Sequence, residues 1–154
     1  MPVIVTTYLL QYANAFRVLN EQWINDYFTM EVADRRVLED PENYILAKGG
    51  EIVFAVDPPD QVLGTCAIVR HSEIQCELAK MAVSPQARGQ GIGEIVGSAA
   101  IEIARNAGYE VMYLETNSEL GPALGLYHKL GFEQRPFPFD SDYRRANVYM
   151  VFDL

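Results

Sequence analysis

The residues best suited to chemistry lie in one run, Val83-Ser84-Pro85-Gln86-Ala87-Arg88-Gly89-Gln90-Gly91-Ile92-Gly93-Glu94. An apolar strand ends there, the chain turns at Ser84-Pro85, and three glycines alternate with other residues. From Ile92 onward apolar side chains recur at Ile95, Val96, Ala99, Ala100, Ile103, Ala104 and Ala107, a helical period sustained for about four turns. Gly108 stands where a C-terminal cap belongs. The glycines therefore sit at the mouth of a helix N-terminus. Successive backbone N–H groups there, with no Cβ to block approach, form a cradle for an anion. A phosphate or pyrophosphate is the ligand this arrangement predicts.

Spacing narrows the kind of loop. Counting from Gly89, the dinucleotide pattern G-x-G-x-x-G fails because its last position is Glu94. The Gly-Lys-Ser/Thr ending of a nucleotide triphosphate loop is absent too. What remains is Arg88-Gly89-x-Gly91-x-Gly93, preceded by Val83 and Pro85. It resembles the acetyl-CoA pyrophosphate loop of the GNAT N-acetyltransferase superfamily. A second run, Ala123-Leu124-Gly125-Leu126-Tyr127-His128-Lys129-Leu130-Gly131-Phe132, is similar to the late helix of that family, with Tyr127 and Gly131-Phe132 as its marks. The likeness covers residues 50–133 well; the first third and the tail fit by length and pattern.

The resemblance assigns roles. It implies acetyl-CoA as cofactor, with the backbone of Gly89, Gln90, Gly91, Ile92, Gly93 and Glu94 on the pyrophosphate and Arg88 as a nearby counter-charge. The strand before the loop carries a bulge in this family. Aligned from Val83, the backbone of Met81, Ala82 and Val83 faces the acetyl and pantetheine arm, and the Met81 N–H donates to the thioester carbonyl. Tyr127 matches the general acid for the departing thiolate. A phenol suits that role because its pKa of about 10 lies above a thiol's of about 8.5. Glu77 is a candidate general base; Glu115 is its rival, and an ordered water chain is a third option. Many relatives have an Asn seven residues before the tyrosine. That position is Leu120 here, so Asn117 becomes the candidate for the cofactor contact.

Strand alternation puts Glu77, Met81 and Val83 on one face, with Cys76 and Lys80 on the other. Lys80 then points away from the acyl pocket, which favours acetyl over an acidic donor such as succinyl. No cysteine falls where an acetyl-enzyme would form, so attack is expected to be direct, in a ternary complex. The implied function is transfer of acetyl from acetyl-CoA to a primary amine of a small molecule or peptide. The alternative is a non-catalytic acyl-CoA-binding module of the same fold.

The chain has 154 residues and 49% apolar content, which fits one domain spanning residues 1–154. No apolar run reaches the roughly 18 residues of a membrane span, and no basic signal-type start is visible. A cytoplasmic setting is therefore expected, with no membrane partner. Cys66 and Cys76 read as buried thiols, and two histidines, His71 and His128, are too few for a zinc site at the usual spacing, so no metal is expected. A net charge of −9 argues against nucleic acid. Residues 21–60 hold ten acids and three bases, a balance of −7. That is either a solvated helical face or a field drawing in a cationic amine.

The elements that position these residues follow from pattern. Strands are expected at 3–8, 51–56, 62–70, 77–83 and 111–115, with a final hairpin at 132–135 and 147–152. Helices are expected at 15–28, capped by Asn14, at 34–38, from 92 and over the second motif, with another turn near 42–46. Glu21, Asp26 and Glu31 fall in the helical region that covers the acceptor in relatives. Trp23, Tyr27 and Phe28 line an acceptor pocket or belong to the core. His128, one residue from Tyr127 on its helix, is read as surface. The order is that of an α/β (α+β mixed) layer fold, GNAT-like, with a central mixed sheet of about seven strands and about four flanking helices. The apolar tail 148–152 permits a homodimer through the last strands.

Overall fold

The structure, a computed structural model, describes residues 2–154. The strands are β1 (Ile4–Thr7), β2 (Glu51–Asp57), β3 (Gln61–Arg70), β4 (Gln75–Val83), β5 (Val111–Thr116), β6 (Glu133–Arg135) and β7 (Val148–Asp153). The helices are α1 (Ala13–Tyr27), α2 (Val32–Glu39), α3 (Ile92–Asn106) and α4 (Gly121–Leu130). One seven-stranded sheet runs in the order β1-β2-β3-β4-β5-β7-β6. All neighbouring pairs are antiparallel except β4 and β5. That mixed sheet with four α-helices is the expected architecture.

Two apolar clusters cover the two faces. Val96, Ala100 and Ala104 of α3 pack with Cys66, Leu78, Met112 and Met150 on one face. Phe16 and Ile24 of α1, Leu38 of α2 and Ile45 pack with Ile52, Phe54 and Ala67 on the other. α3 and α4 approach closely because glycines face the contact. A Cβ on Gly93 would stand 2.9 Å from Leu126, and one on Gly97 would stand 2.7 Å from Leu130.

Two local expectations change. α1 begins at Ala13, directly after a 3₁₀ turn at Leu10–Tyr12, so the chain enters it already helical and no side chain caps it. Asn14 lies inside the first turn, where its carbonyl oxygen accepts from Arg17 at 2.8 Å. α2 starts at Val32 instead of 34 because Glu31 and Asp34 form a reciprocal capping box, with the Glu31 N–H donating to Asp34 at 2.9 Å.

The centre of the sheet is open. β4 and β5 pair in parallel only at Gln75–Val111, Cys76–Met112 and Glu77–Tyr113. Beyond Glu77 the two strands part, while β4 stays paired with β3 as far as Val83 and β5 with β7 as far as Thr116. β4 also carries a bulge. Thr65 pairs with Ala82 and Ala67 with Ala79, so two residues, Lys80 and Met81, oppose the single Cys66. Lys80 adopts φ +53°, a left-handed conformation that a non-glycine residue rarely takes.

Candidate active site

The bulge corrects the facing derived from alternation. Before it, Cys76 and Leu78 face α3; after it, Met81 and Val83 face α3. The extra residue shifts the two-residue period by one. Glu77 therefore lies on the face opposite to Met81 and Val83, although it does oppose Cys76 as expected. Lys80 shares the face of Glu77 and turns toward α2, not away from the site: its Nζ donates to Asp34 at 2.7 Å and to the Tyr143 hydroxyl at 3.0 Å.

The parted strands open into a cleft of about 700 Å³. Met81, Ala82 and Val83 line its β4 wall, Asn117 lies on the β5 side, Tyr127 comes from α4, and Arg88, Gly89, Gly91, Ile92, Gly93 and Glu94 close one end. Gln90 alone of the predicted loop residues is outside the lining, with its side chain turned back to the Gln86 carbonyl at 3.3 Å. Gly91 is the N-cap of α3, at φ +76°. The N–H groups of Ile92, Gly93 and Glu94 belong to the first turn, which has no intrahelical acceptors for them. A Cβ added at Gly89 or Gly91 would meet no protein atom within 4 Å, so that side of the loop is open. Donors without partners, an open approach and Arg88 beside them fit a pyrophosphate. Glu94 pairs with Lys129 across α3 and α4 at 2.9 Å.

Asn117 is partly committed. Its Nδ2 donates to the Arg145 carbonyl at 2.6 Å and its Oδ1 accepts from the Glu119 N–H at 2.8 Å, which leaves one N–H for the cleft. Tyr127 packs edge-on against Phe132, with centroids 6.3 Å apart. Burial pushes its phenol up to about 12, with the Cys66 thiol acting in the same direction, so it stays protonated at neutral pH. Both cysteines are free, buried thiols whose pKa burial raises. His128 is exposed, as expected.

Across the sheet, Glu77 belongs to a group that sequence reasoning did not assemble. His71 Nε2 lies 2.9 Å from Glu77 Oε1, and the Tyr113 hydroxyl lies 2.8 Å from the same nitrogen and 3.3 Å from the same carboxylate oxygen. The hydrogen bond to Glu77 raises the His71 pKa. Glu115, one step along β5 on the Tyr113 side, has a raised pKa, because burial together with Glu77 and Asp142 outweighs the lowering effect of a hydrogen bond from Ser141. Its Oε1 is buried without a hydrogen-bond partner among the described residues. Tyr113 stacks on Tyr149 at 5.4 Å, and Phe139 meets both edge-on at 5.7 Å.

Behind this group is a second cavity, of about 660 Å³. It shares Glu77, Ala79, Lys80, Glu115 and Tyr143 with the cleft. The partition between them is ionic. Asp34 is fully buried and receives Lys80 at 2.7 Å and both Arg145 Nη groups at 2.7 and 2.6 Å. Burial acts to raise the Asp34 carboxyl, but Arg145 and Lys80 outweigh it and hold the group at about 2. Glu31 accepts from Arg145 at 3.2 Å and from the Arg144 N–H at 3.0 Å, and Glu21 pairs with Arg17. Of the three acids in the helical region expected to cover the acceptor, Asp26 is exposed and Glu21 and Glu31 have partners. Trp23, Tyr27 and Phe28 line the cleft, at the end of α1.

Residues 16–132 match the model of the acetyltransferase (GNAT) family. The chain belongs to the GNAT acetyltransferase family. Its relatives include the uncharacterized N-acetyltransferase YjgM of Escherichia coli K12, 36% identical over 93 residues, which cover 58% of this chain and 55% of that one. The chain spans about half the length of the curated relatives it matches. The GNAT fold is equally plain in solved structures. A GNAT-family acetyltransferase of Staphylococcus aureus Mu50 superposes with a TM-score of 0.88 at 19% identity over 99% of both chains. A GNAT phosphinothricin acetyltransferase of Sinorhizobium meliloti, solved with acetyl-CoA, superposes with a TM-score of 0.80 at 17% identity, covering 100% of this chain and 89% of that one. Among the described residues no helix is long and apolar enough to cross a membrane, and no group of three or more His, Cys, Asp or Glu residues is placed to hold a metal ion.

Proposed function

We propose that this GNAT domain transfers an acetyl group from acetyl-CoA to a primary amine of a small molecule or peptide, by direct attack in a ternary complex. The observation that carries the reading is the parted β4–β5 seam, with the β4 bulge on one wall and the unpartnered N-terminus of α3 at its end. Family membership and the relative solved with acetyl-CoA support it. When bound, acetyl-CoA supplies an activated acetyl thioester.

The chain's own groups divide the work. The first-turn amides of α3, the Gly89 and Gly91 backbone and Arg88 hold the pyrophosphate. Met81, Ala82 and Val83 present the β4 backbone to the arm, and the bulge leaves Met81 positioned to donate its N–H to the thioester oxygen as charge builds there. Asn117 offers its remaining N–H. Tyr127, held neutral by burial, delivers its proton to the thiolate. Glu77, on the far face, takes the proton of the attacking amine, and His71 and Tyr113 hold its carboxylate in place. Glu77 lies beside the last paired residues of the seam, where the cleft and the second cavity meet, so it reaches the reacting centre although it does not share a strand face with Met81.

Thermal stability of the purified chain with acetyl-CoA, coenzyme A or NAD tests the cofactor. A ligand at about 100 times its Kd adds roughly 2.7 kcal/mol, which raises Tm by several degrees in a domain of this size. Stabilisation by both CoA species but not NAD is expected, followed by amine-dependent thiol release. Indifference to all three would remove the reading; binding without thiol release for any amine would favour the non-catalytic alternative.

A further inference from the structure

The second cavity carries charges of both signs, and its acids and its unpaired bases come from different elements. The acids, Glu77, Glu115, Asp140 and Asp142, come from β4, β5 and the loop between β6 and β7. The bases without partners, Arg36 and Lys48, come from α2 and the turn that follows it. Of the other basic groups in the lining, Lys80 is committed to Asp34, and His71, charged only when protonated, is committed to Glu77. Among the described residues neither Arg36 nor Lys48 forms an ion pair, and Lys48 sits over the Tyr44 ring at 5.4 Å. Residues 21–60 contain only three bases among ten acids, and two of the three converge on this cavity. A solvated acidic face would not require that convergence.

The inner end is acidic. Glu77 and Glu115 are neighbours there, at the boundary with the cleft. Two adjacent carboxylates favour an ammonium or amine. An anionic group would be repelled there and attracted by Arg36 and Lys48. Tyr44, Tyr113, Phe139 and Tyr143 supply the aromatic surface between.

We infer that the second cavity binds the acceptor and selects a primary amine that also bears a carboxylate, an amino acid or short peptide, taken amine-first. The amine sits at Glu115 and Glu77, where the cavity meets the cleft. The carboxylate sits between Arg36 and Lys48. The inference rests on the acetyltransferase reading and adds a substrate class to it.

The test uses the whole chain with acetyl-CoA and three matched sets of acceptors: L-amino acids, their C-terminal amides, and diamines of similar length. Thiol release is followed for turnover, and acetyl-CoA binding is measured on the same protein. Amino acids should exceed their amides by about 2- to 30-fold in kcat/KM, the range for a carboxylate between two exposed cations. Arg36→Gln with Lys48→Gln should erase that preference by raising KM for the acids, with kcat and the amides unaffected. Both side chains are exposed, so the pair should fold normally. Amides or diamines used as well as acids, or a preference that survives the double variant, would overturn the inference. So would the absence of turnover across all three sets in a protein that acetylates other primary amines. A protein that does not bind acetyl-CoA, or binds it and releases thiol in response to no amine at all, fails at the earlier reading instead, and the two failures are thereby distinct.

Discussion

Gly91 and Gly108 provide a controlled test of the anion cradle. Both are in the left-handed region, at φ +76° and +93°, and a Cβ on either would meet no protein atom within 4 Å. Alanine at either position therefore incurs the same kind of backbone strain, about 1–2 kcal/mol, and no steric clash within the protein. At about 2–4 °C per kcal/mol for a chain of this length, each variant should lose roughly 2–8 °C in Tm. The positions differ in only one relevant way: Gly91 lines the cleft at the start of α3, while Gly108 lies beyond its other end. The new methyl of Gly91→Ala takes the space that a phosphate would use and displaces at least one charge-assisted hydrogen bond, worth about 1.5–3 kcal/mol. Titration calorimetry with coenzyme A should show Kd raised about 10- to 100-fold for Gly91→Ala. Gly108→Ala should retain the parent value. Equal affinity in the two variants, at equal loss of stability, would refute the cradle.

The other roles separate in simple assays. Tyr127→Phe should lower kcat while leaving acetyl-CoA affinity nearly unchanged; loss of both together would rule out the proton-donor role. Glu77→Gln should lower kcat/KM by about 10²- to 10⁴-fold. In that variant the His71 titration, followed by NMR, should move down, because the hydrogen bond that raises it is weakened. Asp34→Asn leaves Lys80 buried without a carboxylate and Arg145 with Glu31 alone, so a loss of about 3–5 kcal/mol is expected. Asp34 also predicts acid sensitivity. Its folded pKa, about 2 against 3.8, is depressed, so its contribution of about 2.5 kcal/mol is complete above pH ~4 and lost as pH falls from there toward 2. Denaturant titrations across that range should lose this component in Asp34→Asn.

The fold and most of the cleft lining were readable because they depend on local signals. Three glycines before an amphipathic period locate the start of α3, and Tyr127 follows from a motif on one helix. The opposite face of the sheet was less readable. The resemblance implied a bulge in this strand but not its position; at Lys80 and Met81 it reverses the facing of every residue after it, which plain alternation ignores. Thus alternation put Glu77 on the side of Met81 and sent Lys80 away from the site. His71, Tyr113, Asp34 and the pair Tyr143 and Arg145 come from four separate segments, and only tertiary packing brings them together. One signal was available: Tyr113 and Glu115 alternate on β5 as Glu77 does on β4, and pairing the two strands would have shown them as neighbours.

The short pairing of β4 with β5 also determines how the molecule should breathe. Three residue pairs join two half-sheets, so an interior seam adds two inner strand edges to the two outer ones. The outer edges, β1 and β6, are ordinary boundaries. The inner ones expose backbone groups in the middle of the molecule, and their protection depends on whatever fills the gap. Amides of β4 beyond Glu77 that point into the gap should therefore exchange hydrogen quickly in the free protein and slowly once the gap is filled. Those bonded to β3 should change little. Opening should be hinged at residues 75–77 and 111–113, so the chain is tightest where its strands meet and most responsive a few residues further on.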